Sequence, residues 1–288
     1  MKQTSHPSPA LLLCLLTVLG AIRPVLAAPP APPAGNSPAV RSAAALVIDR
    51  ATGSVLYERR ADASAPIASI TKLMTALVIV EAQQPLNEEI RITAEDRTRT
   101  QGLASRLAVG TRLTREELLR LALMSSENRA AQALCRSYTG GEPACLAAMN
   151  AKARQLGMTG ARFDDGTGLS PRNVASPNDL AKLVIAANHV ELIREFSTTP
   201  AWSTRVGKQI LEFHNTDPLV RDPDWQVSVQ KTGHIAAAGQ CLVLQALIDG
   251  RDVVIVLLNS VGKYTRVADA RRVRTWMSTL EKAVDLKL

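Results

Sequence analysis

Apolar residues recur along this chain with two periods, and near its start with none. From Leu11 to Ala21 almost every residue is apolar, Lys2 precedes the run, and Val25-Leu26-Ala27 supplies a small-residue cleavage pattern. The run is too short and wrongly flanked for a membrane span, so residues 1–28 read as a secretory signal peptide. Residues 29–40 are rich in proline and small residues, which cannot bury a core, and read as an extended linker. Period-two segments follow. Ala44 to Asp49 and Ser54 to Arg59 predict a hairpin closed around Thr52-Gly53, and Cys241 to Ile248 with Val253 to Leu258 a second, closed around Asp249-Gly250. Val227 to Lys231 alternates in the same way, which makes five antiparallel strands.

Between these strands the period changes to that of a helix. Ile70, Leu73, Met74 and Leu77 stand at i, i+3, i+4 and i+7 within Pro66 to Gln83, predicting a helix with one buried face that opens at Ser69. Thr114-Arg115-Glu116-Glu117 is a capping box opening a helix to about Met124, and a second helix is expected from Ser126 to about Tyr138, stopped by Gly140-Gly141. Ser176-Pro177-Asn178 reads as an N-cap with proline in the first turn. Residues from about 66 to 195 are therefore mainly helical, and Val267 to Asp285 forms a terminal helix suited to covering one sheet face. Residues 41–288 suit one domain of two lobes, of α/β class.

Three short polar groups interrupt this pattern where chemistry can be placed. Ser69-Ile70-Thr71-Lys72, Ser126-Glu127-Asn128 and Lys231-Thr232-Gly233 are separated by 57 (126−69) and 105 (231−126) residues. A serine at a helix start feels the positive end of the macrodipole and lies near free backbone N–H groups that can hold an oxyanion. Positions i and i+3 are neighbours on a helix, so the Lys72 amine reaches the Ser69 hydroxyl. To take its proton the amine must be neutral, which burial and a second cation such as Lys231 both promote. Ser126, at a junction between helices, can relay a proton to a leaving group, while Asn128 holds a substrate amide. Lys231-Thr232-Gly233 lies on a strand; at a sheet edge its backbone can pair with an extended peptide, and Lys231 and Thr232 can hold a carboxylate.

Each pattern alone recurs by chance. Ser228 and Lys231 share the spacing of Ser69 and Lys72 but sit on a strand, where i and i+3 face opposite ways. Ser260 and Lys263 fall at a strand end and turn. Order, spacing and local structure together carry the reading, and they resemble the penicillin-binding protein and serine β-lactamase superfamily. In Ala68 to Ala76 and in Ser125 to Ala131 the chain is most similar to the D-alanyl-D-alanine endopeptidases.

The resemblance implies a β-lactamase/transpeptidase-like fold, a five-stranded antiparallel sheet beside an all-helical lobe. It implies a periplasmic serine DD-endopeptidase that acts on peptidoglycan stem peptides through a Ser69 acyl-enzyme, is inhibited by β-lactams, and has no membrane anchor after processing. Ser69, Lys72 and Ser126 would be catalytic; Asn128, Lys231, Thr232, Gly233 and His234 would bind substrate. The backbone N–H groups of Ser69 and His234 would form the oxyanion hole, with the His234 side chain turned to solvent. A DD-carboxypeptidase shares every one of these residues. A β-lactamase of class A type needs a Glu-x-x-Leu-Asn segment, and the loop Asp164 to Ser170 has carboxylates without that pattern. A non-catalytic wall-binding or sensing module is disfavoured by the complete catalytic set.

Composition narrows the alternatives further. Removing Lys2 and Arg23 leaves 32 basic against 26 acidic residues, a net charge near +6 that suits anionic envelope polymers as well as an ordinary solvated surface. Aromatic residues make up only 3% and no basic-aromatic interleaving occurs, so nucleic acid is not an expected partner. Four scattered histidines without a His-Glu-x-x-His pattern give no metal site, and no cofactor is implied. Three cysteines survive processing. Cys135 and Cys145 lie at facing helix ends across Gly140-Gly141 and are expected to pair; Cys241, in a buried-strand pattern, is expected to stay a free thiol.

Overall fold

The structure is a computed structural model that describes residue 1, residues 37–103 and residues 105–285, with side chains to residue 280. The expected signal peptide and most of the expected linker lie outside the described residues. Five strands, β1 (Ala44–Asp49), β2 (Val55–Arg59), β3 (Gln226–Ile235), β4 (Gly239–Ile248) and β5 (Arg251–Ser260), form one antiparallel sheet in the order β2-β1-β5-β4-β3. Thus β3, which carries Lys231-Thr232-Gly233, is an edge strand. The tight β4–β5 turn is made possible by Asp249 and Gly250, both at positive φ (48° and 81°).

Both faces of the sheet are covered, which is why β5 reads as a continuous apolar run. On one side Ala45, Val47, Leu242, Leu244, Ile255 and Leu257 meet Val267, Val273 and Trp276 of the terminal helix. On the other, Leu46, Val243, Val254 and Val256 join the core of the helical lobe.

That lobe holds α1 (Thr71–Glu81), α2 (Ala94–Arg99), α3 (Arg115–Met124), α4 (Asn128–Arg136), α5 (Gly141–Gln155), α6 (Pro177–Asn188) and α7 (Glu191–Thr198), and α8 (Thr265–Asp285) is the terminal helix. The capping boxes at Thr114 and Ser176 form as expected. Two helical expectations need correction. Instead of one buried face, α1 buries every residue from Thr71 to Ile79, because it runs through the centre of the lobe with helices and sheet around it. And α4 begins at Asn128, not Ser126: Glu127 supplies the cap, and Ser126 has a left-handed backbone (φ 59°) that no helix can contain. Strand pairing between Ala201–Val206 and Gln209–His214 adds a hairpin for which the sequence pattern gave no expectation.

Cys135 of α4 and Cys145 of α5 form a disulfide, with Cα atoms 5.4 Å apart, while Cys241 is a buried free thiol. Burial pushes the Cys241 thiol up to about 11, so it stays protonated and inert at neutral pH.

Candidate active site

The turn that holds Ser69 is built by close packing. Ser69 lies in a single 3-10 turn, Ala68–Ile70, directly ahead of α1, and Ala68 is at positive φ (49°). Two glycines hold this turn in place. A Cβ on Gly168 would stand 1.9 Å from the Ala68 carbonyl oxygen, and one on Gly233 would stand 2.9 Å from the Ile67 carbonyl and 3.1 Å from the Ser69 nitrogen. Among the described glycines these two, one in a loop and one in β3, bring backbone closest to backbone. The Gly233-His234 segment is thereby laid against the Ser69 amide.

Lys72 is fully buried on the first turn of α1, and its amine sits at the centre of three contacts. It lies 2.8 Å from the Ser69 Oγ, 2.8 Å from the Asn128 Oδ1 and 2.7 Å from the Thr167 carbonyl oxygen. The last two are acceptors only, so a neutral amine spends its two N–H groups on them and turns its lone pair to the Ser69 hydroxyl. Burial lowers the Lys72 pKa to about 7, against the opposing pull of Asp165 and Glu127. The amine is therefore neutral in part of the molecules at neutral pH, as a proton acceptor must be.

Lys231 and Thr232 are buried on β3; the Lys231 amine donates to the Thr232 carbonyl at 3.0 Å, and the Thr232 and Thr216 hydroxyls lie 2.6 Å apart. Burial, and then the charge of Lys72, push Lys231 well below its ordinary value, with Arg266 adding to this and Asp217 opposing it. The expected repulsion between the two lysines is thus present, but burial alone accounts for the depression at Lys72. Ser126 stands at the α3–α4 junction, two residues from Asn128, and its hydroxyl has no hydrogen-bond partner among the described residues. The His234 ring is exposed, and its one hydrogen bond among the described residues is to the Gly239 carbonyl, at 3.1 Å, in agreement with a solvent-facing side chain.

The Ser69 hydroxyl thus stands 2.8 Å from a fully buried lysine amine, with the edge strand β3 packed against its turn. The sequence profile described as D-alanyl-D-alanine carboxypeptidase matches residues 31–262. The chain belongs to this family of serine peptidases. It is 43% identical over 272 residues to a D-alanyl-D-alanine endopeptidase of Pseudomonas aeruginosa, covering 93% of this chain and 87% of that protein. It is 42% identical over 246 residues to the enzyme of the same name from Escherichia coli, covering 85% and 79%. Among solved structures, the Streptomyces K15 DD-transpeptidase superposes with a TM-score of 0.76 at 25% identity, over 82% of this chain and 97% of that one. A D-alanyl-D-alanine carboxypeptidase from Mycobacterium tuberculosis gives 0.76 at 27%, over 86% and 95%. The fold is therefore that of the DD-peptidases, and the chain is a serine-type hydrolase of the low-molecular-mass penicillin-binding class.

Several groups in this family member's site were not anticipated from the sequence. The Thr167 carbonyl is aimed at Lys72 by Asp165, whose carboxylate accepts from the Thr167 amide and hydroxyl and from the amides of Gly168 and Ser170 at 2.5–2.7 Å. Asn173, fully buried, fastens the other side of the loop: its Oδ1 accepts from the Asp164 and Asp165 amides and its Nδ2 donates to Thr71 and to the Asp165 carbonyl. Arg266 of α8 donates to the Gly233 carbonyl at 2.7 Å, supporting β3 from the helix that covers the other face of the sheet. Asp217 is wholly buried near Lys231 and Arg266, and burial raises its pKa to about 6. A sequence signal existed only for the loop: Asp165-Gly166-Thr167-Gly168 has the composition of an Asx turn.

Proposed function

We propose that the protein is a peptidoglycan DD-endopeptidase that opens D-alanyl cross-links between stem peptides through a Ser69 acyl-enzyme. The observation that carries this reading is the Lys72 amine, buried, depressed to about 7, and 2.8 Å from Ser69 Oγ with its other N–H groups already committed. Neutral Lys72 takes the Ser69 proton as Oγ attacks the D-alanyl carbonyl carbon. The oxyanion that forms is held by the backbone N–H groups of Ser69 and His234. Ser126 passes a proton to the departing amine, the C–N bond breaks, and water then hydrolyses the ester. Asn128 holds the substrate amide, β3 aligns the extended stem at Gly233, and Lys231 with Thr232 binds a carboxylate of the substrate. β-Lactams acylate the same serine.

The endopeptidase form, over the carboxypeptidase form, is supported by the names of relatives more than 40% identical to this chain over the aligned residues. Residues 1–28 act as a cleaved signal peptide and the mature enzyme works in the periplasm; no helix among the described residues is long and apolar enough to cross a membrane. The test is product analysis with purified mature protein. A cross-linked dimer muropeptide should be cut to monomers faster than terminal D-alanine is released from a pentapeptide. Release of D-alanine with the dimer intact makes the enzyme a carboxypeptidase instead.

A further inference from the structure

Ser125 and Glu127, the chain neighbours of Ser126, line a pocket of about 300 Å³ together with Ser105, Arg106 and Phe213. Two opposite charges stand on its walls. Glu127 accepts from the Ser105 hydroxyl at 2.5 Å and from the Arg129 amide at 3.3 Å, both through Oε1. The Arg106 guanidinium lies 3.7 Å over the Phe213 ring and donates to the Glu212 carbonyl, so its position is set before any ligand arrives. Neither Arg106 nor Glu127 has an ion-pair partner among the described residues. Glu127 directly precedes Asn128, whose Oδ1 accepts from the Lys72 amine at 2.8 Å, so this pocket wall lies one residue from the reacting groups.

Whatever leaves Ser69 departs from beside Ser126, the group that hands it a proton. For a pentapeptide that is a single amino acid. For a cross-link it is a whole second stem, a peptide that carries carboxylates of its own. Glu127 repels a carboxylate from the wall nearest Ser126, and the rigid, unpaired guanidinium across the pocket attracts it. We propose that this pocket is the subsite for the departing stem peptide, and that Arg106 binds a carboxylate of that stem and so determines specificity for cross-linked substrate.

The proposal rests on the endopeptidase reading, and one experiment separates the two. The kcat/KM values of mature wild-type, Arg106→Ala and Arg106→Lys enzymes are measured on a dimer muropeptide, on the same dimer with the departing stem's carboxylates amidated, and on a pentapeptide. Stoichiometric acylation by penicillin confirms that each variant is folded. The dimer-to-pentapeptide ratio should fall about tenfold in Arg106→Ala, the loss of roughly one charge-assisted hydrogen bond. Arg106→Lys should recover part of it, and amidation should slow the wild type more than it slows Arg106→Ala, in which Lys231 and Thr232 remain to sense a carboxylate. A ratio within about twofold of wild type, or an equal amidation effect in both enzymes, overturns the assignment of Arg106 while leaving the endopeptidase intact. A wild type that spares the dimer altogether overturns both.

Discussion

At the scale of single residues the site is governed by which form of Lys72 is present. Its pKa is lowered to about 7, so the base form gains as pH rises through that value. The rate of acylation by a β-lactam should accordingly climb with pH around 7 and level off above it, measured by stopped flow with the wild-type enzyme. A rate that is flat from pH 5 to 9 would remove Lys72 as the base. The same shift has a sign for stability: between about 7 and the ordinary 10.5 the unfolded chain binds a proton the folded chain does not, so this residue makes stability increase with pH over that window. Asp165 offers a second test. Asp165→Asn removes acceptor capacity from a carboxylate that takes bonds from Thr167, Gly168 and Ser170, and it removes the charge that holds the Lys72 pKa up. Acylation should slow while its rising limb moves to lower pH; a limb that stays in place would show that the loop carboxylate does not act on Lys72.

Among elements, the decisive feature is the clamp of β3 and the 164–170 loop on the turn that holds Ser69. Gly168→Ala puts a methyl group into the Ala68 carbonyl and forces alanine into φ 85°, so it should abolish acylation and lower the thermal midpoint; Gly233→Ala, with a closest contact of 2.9 Å, should do so less severely. Equal acylation rates in Gly168→Ala and wild type would contradict the clamp. The loop also bears on deacylation. Asp165 accepts four hydrogen bonds from its own loop, and Glu127 accepts from Ser105 and caps α4, so both carboxylates are engaged in holding structure rather than a water. The penicilloyl-enzyme should therefore persist, and sustained penicillin turnover followed by absorbance would contradict this.

The legibility of these elements in the sequence was uneven, for physical reasons. Strands and capped helices have short-range signatures, and the hairpin at Asp249-Gly250 and the caps at Thr114 and Ser176 were readable from a few residues. The Ser69–Lys72 contact was readable too, because it is internal to one helical turn. The Thr167 carbonyl and Arg266 were not: each meets the site across long stretches of chain, and a backbone carbonyl has no side-chain identity to mark it. Ser126 reads as a helix opener because it follows one apolar-periodic segment and begins another, whereas its backbone is left-handed at the junction of α3 and α4, a conformation with no local sequence mark in a serine.

For the whole molecule, function depends on two lobes held in fixed relation across the cleft. The helical lobe contributes Ser69, Lys72, Ser126 and Asn128, the sheet contributes Lys231, Thr232 and Gly233, and Arg266 ties α8 to β3. Within the helical lobe the Cys135–Cys145 bridge closes a ten-residue separation, worth about 2–3 kcal/mol if the loop-entropy account holds. Cys135→Ala/Cys145→Ala should lower the unfolding free energy, obtained from a denaturant titration, by about that amount while leaving Ser69 reactive; an unchanged free energy would show that the bridge adds nothing. The measurement that bears most directly on the central claim is the location of the covalent adduct. Wild-type, Ser69→Ala and Lys72→Ala proteins are incubated with benzylpenicillin, digested with trypsin and mapped by mass spectrometry. One penicilloyl group should appear on Ser69, within the peptide spanning residues 61–72, and none in either variant. An adduct on Ser126, or full labelling of Ser69→Ala, would contradict the mechanism.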